Sequence, residues 1–208
     1  MFIPALSFYF ASIVEGKRLQ QMSSIERWKT INSQLVFDHQ WCQVRQDEVE
    51  LPNGKVIDDY FVNVRPDIAL VLAVTQQREI ILVRQYRHGV GEILLELPGG
   101  SFNPQIESSL TAAARELEEE TGYVADQMLH LATLYDNPVK DTNKIYLIIA
   151  ENAHPSGTQQ LDVTEDIEVV LVPVEEVMDR ISTREIRVCG TIAALFLGLQ
   201  FLSQRPAT

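Results

Sequence analysis

Arg115-Glu116-Leu117-Glu118-Glu119-Glu120-Thr121-Gly122-Tyr123 is the stretch on which the reading of this chain turns. It closes a run, Ser108 to Thr121, that is rich in Ala, Leu and Glu and contains neither Gly nor Pro. The run stops at Gly122, a helix C-terminal signal. At about 100° per residue, with Glu116 at zero, Glu119 falls near 300° and Glu120 near 40°. Three carboxylates therefore share one arc of about 100°. Leu110, Ala114 and Leu117 fall on another arc, between about 100° and 160°, and are expected to pack onto a sheet. Arg115 stands one turn before Glu119 and can pair with it. Carboxylates crowded on one face repel unless a cation sits among them. Mg²⁺ and Mn²⁺ take oxygen ligands and keep waters and substrate phosphates in their shell, so such a helix suits phosphate chemistry. The competing reading is a solvated acidic helix, because Glu is a strong helix former.

Working outward, strands surround the helix. Trp28 to Pro66 is strand-like: Val44, Val49 and Leu51 lead into the turn Pro52-Asn53-Gly54-Lys55, and Ile57 to Val64 follows. Ile68 to Val74 and Ile80 to Val83 are short apolar runs that read as two buried strands of a hairpin. Leu94 to Leu97 is another, ended by Pro98-Gly99-Gly100. Beyond the helix, Ile145 to Ala150 and Ile167 to Val172 read as strands, Val174 to Ile181 as a short helix, and Thr191 to Leu202 as an apolar C-terminal helix. The expectation is an α/β fold, a mixed sheet between helices in an α/β/α sandwich, preceded by a small N-terminal antiparallel β piece. The division expected is 1–22 as an N-terminal extension, 23–66 as the antiparallel β region and 67–204 as the main domain.

The 208 residues carry 29 acidic and 17 basic side chains, a net charge of −12, with 46% apolar and 22% charged residues. This is globular composition, and its negative surface opposes binding to nucleic acid or anionic lipid. Cys42 and Cys189 are far apart, which excludes a disulfide scaffold or a cysteine zinc site and fits a reducing cytoplasm. Cys189 is expected in the core at a helix start. His88 and His154 lack a partner at ligand spacing and are given no chemistry. Residues 1–14 are apolar but too short to span a membrane, and the basic pair Lys17-Arg18 follows the apolar run instead of preceding it. Met22 offers an alternative start, and residues 1–21 are read as an extension, with a short membrane anchor as the alternative.

Upstream of the helix stand Glu96-Leu97-Pro98-Gly99-Gly100 and Glu107, with seven residues between Glu107 and Arg115. The segment Gly99 to Tyr123 resembles the Nudix box, G-x5-E-x7-R-E-U-x-E-E-x-G-U, where U is a bulky aliphatic residue. Glu107, Arg115, Glu116, Leu117, Glu119, Glu120 and Gly122 match in type and spacing. Six residues instead of five separate Gly100 from Glu107, Ile106 stands where a Gly is common, and Tyr123 replaces the aliphatic residue. Val83-Arg84-Gln85-Tyr86-Arg87, Leu94 to Gly100, Pro138 and the acidic loop Asp162-Val-Thr-Glu-Asp-Ile-Glu168 resemble the ADP-ribose pyrophosphatase branch of that family. The similarity runs from about Trp28 to Leu202.

The resemblance implies a cytoplasmic Mg²⁺-dependent pyrophosphohydrolase, with two or more ions and Mn²⁺ as a substitute. ADP-ribose is the favoured substrate, giving AMP and ribose 5-phosphate. Another NDP-sugar such as GDP-mannose, a dinucleotide, or a nucleotide sensor without activity are the alternatives. It assigns metal to Glu116, Glu119, Glu120 and the Gly99 carbonyl, with Glu116 and Glu120 in direct contact. Gly100, Arg115 and Gly122 shape the box, and Glu107 either joins the metal network or braces the loop. Glu165 is the expected base, with Asp162 and Asp166 as rivals and Glu120 also in the catalytic set. Arg84 and Arg87 suit a phosphate, or else pair with Glu92 or Glu96. Tyr86 and Trp41 are expected to pack, with base stacking the alternative. A homodimer, formed through the N-terminal β region, is also implied.

Overall fold

A computed structural model of the chain describes residues 25–157 and 159–204. The N-terminal extension read at 1–22 lies outside them. Strands β1 (Lys29–His39), β2 (Cys42–Glu50) and β3 (Val56–Val64) form a three-stranded antiparallel sheet in sequential order. The Asn53-Gly54 turn between β2 and β3 has Gly54 at φ 81°.

The second sheet contains β4 (Asp67–Thr75), β5 (Glu79–Arg87), β6 (Glu92–Glu96), β7 (Gly99–Phe102), β8 (Tyr123–Val124), β9 (Gln127–Leu134), β10 (Ile145–Pro155) and β11 (Ile167–Pro173). Its main path runs β11-β5-β4-β10-β8, with β6 on β5, β7 on β4 and β9 on β10. β4 and β10 are parallel and the other pairings antiparallel, so the sheet is mixed. The helices are α1 (Ser109–Thr121), α2 (Val177–Ser182), which follows a 3-10 turn at Val174–Glu176, and α3 (Cys189–Ser203).

Alternation along β4 explains the sandwich. Leu72 and Val74 join Leu82, Leu147 and Ile149 under Ala194 and Leu195 of α3. Ala69, Val71 and Ala73 turn the other way and meet Ile81, Ile148 and Ala112, Ala113 and Leu117 of α1. Both faces of the sheet are thus covered. No helix among the described residues is long and apolar enough to cross a membrane.

The structure corrects the sequence reading in several places. The strand placed at Leu94–Leu97 is Glu92–Glu96, and the stretch after Pro98 is a strand of its own, β7, not only a turn. β9 was not foreseen. On α1, Leu110 and Ala114 are exposed; the buried face is Ala112, Ala113, Leu117, Glu120 and Thr121. The two alanines give that face little bulk, so the helix seats on the side that carries a carboxylate. Cys189 does open α3, but it is exposed, because the helix turns Thr191, Ala194, Leu195 and Gly198 inward.

Candidate active site

Helix α1 is closed at both ends by its own sequence. Ser108 caps the start, its Oγ accepting the Thr111 N–H at 3.1 Å. Gly122, at φ 73°, ends it by donating its N–H to the Glu118 carbonyl at 2.8 Å. A side chain at Gly122 would be strained and would crowd the Gly157 carbonyl.

β7 runs beside the helix and makes the site's floor. A Cβ at Gly100 would fall inside the Glu116 carboxyl group, so glycine there is what admits Glu116. The neighbouring Gly99 N–H donates to Glu120 Oε2 at 2.8 Å. Glu120 is only 5% exposed. Burial, with the charges of Glu116 and Glu165 added, pushes its carboxyl up to about 8, against the Gly99 hydrogen bond and the Arg87 charge. Glu116 is raised as well, chiefly by burial and then by Glu119 and Glu165, although Arg115 opposes this.

Arg115 ties the acids together. Its Nη1 donates to Glu116 Oε1 at 2.8 Å and to Glu119 Oε2 at 2.9 Å, and its Nη2 to Glu107 Oε1 at 3.1 Å. Burial alone would lower the guanidinium's pKa, yet Glu107, Glu119 and Glu116 together hold it raised. Glu107 thus reaches Arg115 despite the longer loop before it. Asn103 absorbs the extra residue: its Oδ1 accepts the Gln105 N–H at 2.9 Å, and its carbonyl accepts those of Ile106 and Glu107 at 2.9 and 3.1 Å. Ile106 projects into solvent at 82% exposure.

The acidic loop between β10 and β11 brings one of its three acids to the helix. Glu165 is half-buried and its charge acts on both Glu116 and Glu120, whereas Asp162 and Asp166 are exposed. Asp162 and Glu165 close a small turn, the Asp162 N–H donating to Glu165 Oε2 and the Glu165 N–H to the Asp162 carbonyl, both at 2.9 Å.

Of the two basic candidates, Arg87 is next to the site. It pairs with Glu96 Oε2 at 2.9 Å from Nε and 2.5 Å from Nη2, and its charge is felt at Glu120. Arg84 instead pairs with Glu168 at 2.8 Å and Glu185 at 3.3 Å, partners the sequence reading did not include. Glu92 pairs with Arg187 at 2.9 Å. Tyr86 and Trp41, expected to pack, are 56% and 83% exposed. Trp41 edges a cleft of about 1120 Å³ between the β1–β2 turn and the Ser101–Gln105 segment, where Arg65 and Asp141 also lie.

Glu96, read from the sequence only as an ion-pair partner for Arg84 or Arg87, does pair with Arg87, whereas Gln159 is a part of the site that the sequence reading left unassigned. Glu96 carried a signal, a lone carboxylate inside the apolar run Leu94 to Leu97; Gln159, in a polar loop, carried none.

The donor chemistry suits a hard divalent cation: carboxylate oxygens of Glu116, Glu119 and Glu120, with a backbone cradle at Gly99 and Gly100 that only glycine leaves open. Among the described residues no group of three such side chains already converges on one point. Arg115 holds Glu119 and one oxygen of Glu116, and Gly99 holds one oxygen of Glu120.

This geometry, a carboxylate-bearing helix clasped to a glycine strand, defines a class. Residues 64–188 match the NUDIX domain model, and residues 28–63 match the nucleoside diphosphate sugar hydrolase N-terminal domain. The chain belongs to the Nudix family of hydrolases. It is 33% identical to an ADP-ribose pyrophosphatase of Bacillus subtilis, covering 89% of this chain and 97% of that one. It is 30% identical to a methanol dehydrogenase activator of Bacillus methanolicus, over 86% and 97%. A crystal structure of an ADP compounds hydrolase superposes with a TM-score of 0.77 at 25% identity, covering 87% of this chain and 97% of the other.

Proposed function

We propose that this Nudix hydrolase is a Mg²⁺-dependent pyrophosphohydrolase of nucleoside diphosphate sugars, with ADP-ribose as substrate and AMP and ribose 5-phosphate as products. The observation that carries this reading is the juxtaposition of Glu116 and Glu120, on a helix seated against Gly99 and Gly100, with the loop residue Glu165, whose charge raises both. The similarity to an ADP-ribose pyrophosphatase supports the substrate.

Glu116, Glu119, Glu120 and the Gly99 carbonyl would hold two or more Mg²⁺ ions, with Mn²⁺ as a substitute. Such ions supply positive charge to the diphosphate and make a water acidic enough to attack. Glu165 accepts the proton from the attacking water, and its place beside both raised acids favours it over Asp162 and Asp166. The new bond joins the water oxygen to one phosphorus, the bridging P–O bond breaks, and the bridging oxygen leaves with the other phosphate. Arg115 keeps Glu119 and Glu116 aimed, and Glu107 keeps Arg115 in place. A phosphate oxygen is assigned to Arg87, which would exchange part of its pairing with Glu96 for it. The cleft beside Trp41 suits the nucleoside end, with its exposed indole as a stacking face.

The N-terminal region, residues 23–66, is assigned to homodimer formation. All of β1 is exposed, including Ile31, Leu35, Val36 and Phe37, and among the described strands it pairs only with β2. An apolar strand with an open edge calls for a second copy. A monomer mass in solution would remove this assignment. The enzyme is placed in the cytoplasm, where its exposed thiols at Cys42 and Cys189 stay reduced.

The test is product analysis with purified protein, Mg²⁺ and a panel of ADP-ribose, GDP-mannose, NADH and diadenosine polyphosphates. Release of AMP from ADP-ribose, abolished by EDTA and by Glu120→Gln, is the expected result. Faster turnover of another compound would move the substrate, and turnover that survives EDTA would overturn the metal assignment.

A further inference from the structure

The last turn of an α-helix leaves carbonyls without intrahelical partners. Two of these carbonyls in α1, and that of Gly122 just beyond it, are taken up by the chain that leads to Glu165. The Glu119 carbonyl accepts the Gln160 N–H at 2.8 Å, and the Gly122 carbonyl accepts the Ser156 N–H at 2.9 Å. The Glu120 carbonyl accepts Nε2 of Gln159 at 2.7 Å. The same Nε2 donates to the Ile167 carbonyl at 3.2 Å, at the first residue of β11. Both acceptors are carbonyls, so only the nitrogen of the amide can face them.

One side chain therefore holds three things. It fixes the end of the helix at Glu120 itself, the entry of the loop at residue 159 and its exit at Ile167. The seven residues between those anchors, 160–166, include Glu165. The exit is also fixed to the sheet, because Ile167 pairs with Gln85 of β5. A loop secured at both ends to the elements that carry the other site residues has little freedom to carry its acid away.

From this arrangement we infer that Gln159 is a positioning residue for Glu165, setting the distance between the proton acceptor and the acid face of α1. The inference rests on the assignment of Glu165 as base made above. A side chain that positions a reacting group affects the reaction step and not the binding of substrate, and a misplacement of about 1 Å can cost about 10²-fold in rate.

The experiment is a double-mutant cycle on the full chain with Mg²⁺ and ADP-ribose, combining Gln159→Leu with Glu165→Gln. Leucine has similar bulk and cannot donate. The expected result is a fall in kcat of roughly 10- to 100-fold for Gln159→Leu with KM unchanged, and no further fall when it is added to Glu165→Gln. Gln159→Lys, which keeps a donor of similar reach, should restore most of the rate. Hydrogen exchange of segment 156–166 should quicken in Gln159→Leu while that of α1 residues 109–117 stays unchanged. An equal fall in kcat in the Glu165→Gln background would overturn the inference and make Gln159 a general structural support. So would wild-type kcat in Gln159→Leu while Glu165→Gln is inactive, and that outcome leaves the base assignment standing. Full activity of Glu165→Gln would overturn the base assignment itself and this inference with it.

Discussion

Asp47 in the N-terminal sheet and Glu120 on helix α1 are equally hidden, each 5% exposed, and they are opposites in every other respect. Asp47 is surrounded by donors: Arg45 Nε at 2.9 Å and Nη2 at 2.9 Å, and Ser33 Oγ at 2.6 Å. Burial would raise its carboxyl, but the hydrogen bonds of Arg45 and Ser33 prevail and hold it below the usual carboxylate range. Glu120 has one backbone N–H and two acidic neighbours, and is driven up to about 8. A buried acid with its donors in place belongs to the scaffold. A buried acid packed against other acids, with its own helix cap and a glycine floor, is held at a cost to stability that the proposed metal-binding role would explain.

The sharpest break in that comparison comes from removing an acid on each side. Glu165→Gln should lower kcat by roughly 10²- to 10⁴-fold, the range for loss of a general base, while Asp47→Asn leaves kcat unchanged. Steady-state assays with ADP-ribose decide it. Arg115→Met comes next, with an expected loss of roughly 10- to 100-fold, as for supports of metal ligands. Magnesium titrations of activity should then show a weaker apparent affinity.

Stability against pH separates the two acids by sign. Glu120 has a folded value near 8 against an ordinary 4.5, so the native state holds its proton more tightly than the unfolded chain. Its contribution is fully present below about 4.5 and is lost as pH rises through 8. Metal-free protein should therefore lose melting temperature over that window, Glu120→Gln should flatten the loss, and added Mg²⁺ should restore stability most at the alkaline end. Asp47 runs the other way, its contribution present above the ordinary 3.8 and lost as pH falls below it. Asp47→Asn should cost on the order of 1 kcal/mol at neutral pH and little in acid, the smallest of these effects, read by denaturant unfolding.

The sequence reading and the structure agree where local signals are strong. Ser108 and Gly122 mark the ends of α1 by cap chemistry that needs no tertiary context. The continuous apolar runs of β4, β5 and β10 are legible because each is buried on two faces. The face of α1 is different. Periodicity assigned Leu110 and Ala114 inward, but helix seating is decided by what fits against β4 and β7, and alanines at 112 and 113 fit closer. β9, with a mixed burial pattern, and β7, a four-residue strand opening on two glycines, have too weak a local pattern to be seen without their partners. Arg84 shows the same limit in the site: its acids, Glu168 and Glu185, lie 84 and 101 residues away, and only the fold brings them near.

The parallel pairing of β4 with β10 has a consequence for the order in which the molecule can be made. The two strands are separated by about seventy residues of chain, and every acid of the site hangs on an element between or just beyond them. Leu72, Leu82, Leu147 and Ile149 share their cluster with Ala194 and Leu195 of α3 as well as with Val177 and Ile186, so that face is incompletely covered until α3 is placed. During synthesis the N-terminal sheet is complete long before either event, so two apolar surfaces, β1 and that sheet face, coexist on the growing chain. The fifteen-residue helix α3 is then the latch of assembly, and chains truncated before residue 189 should aggregate instead of folding.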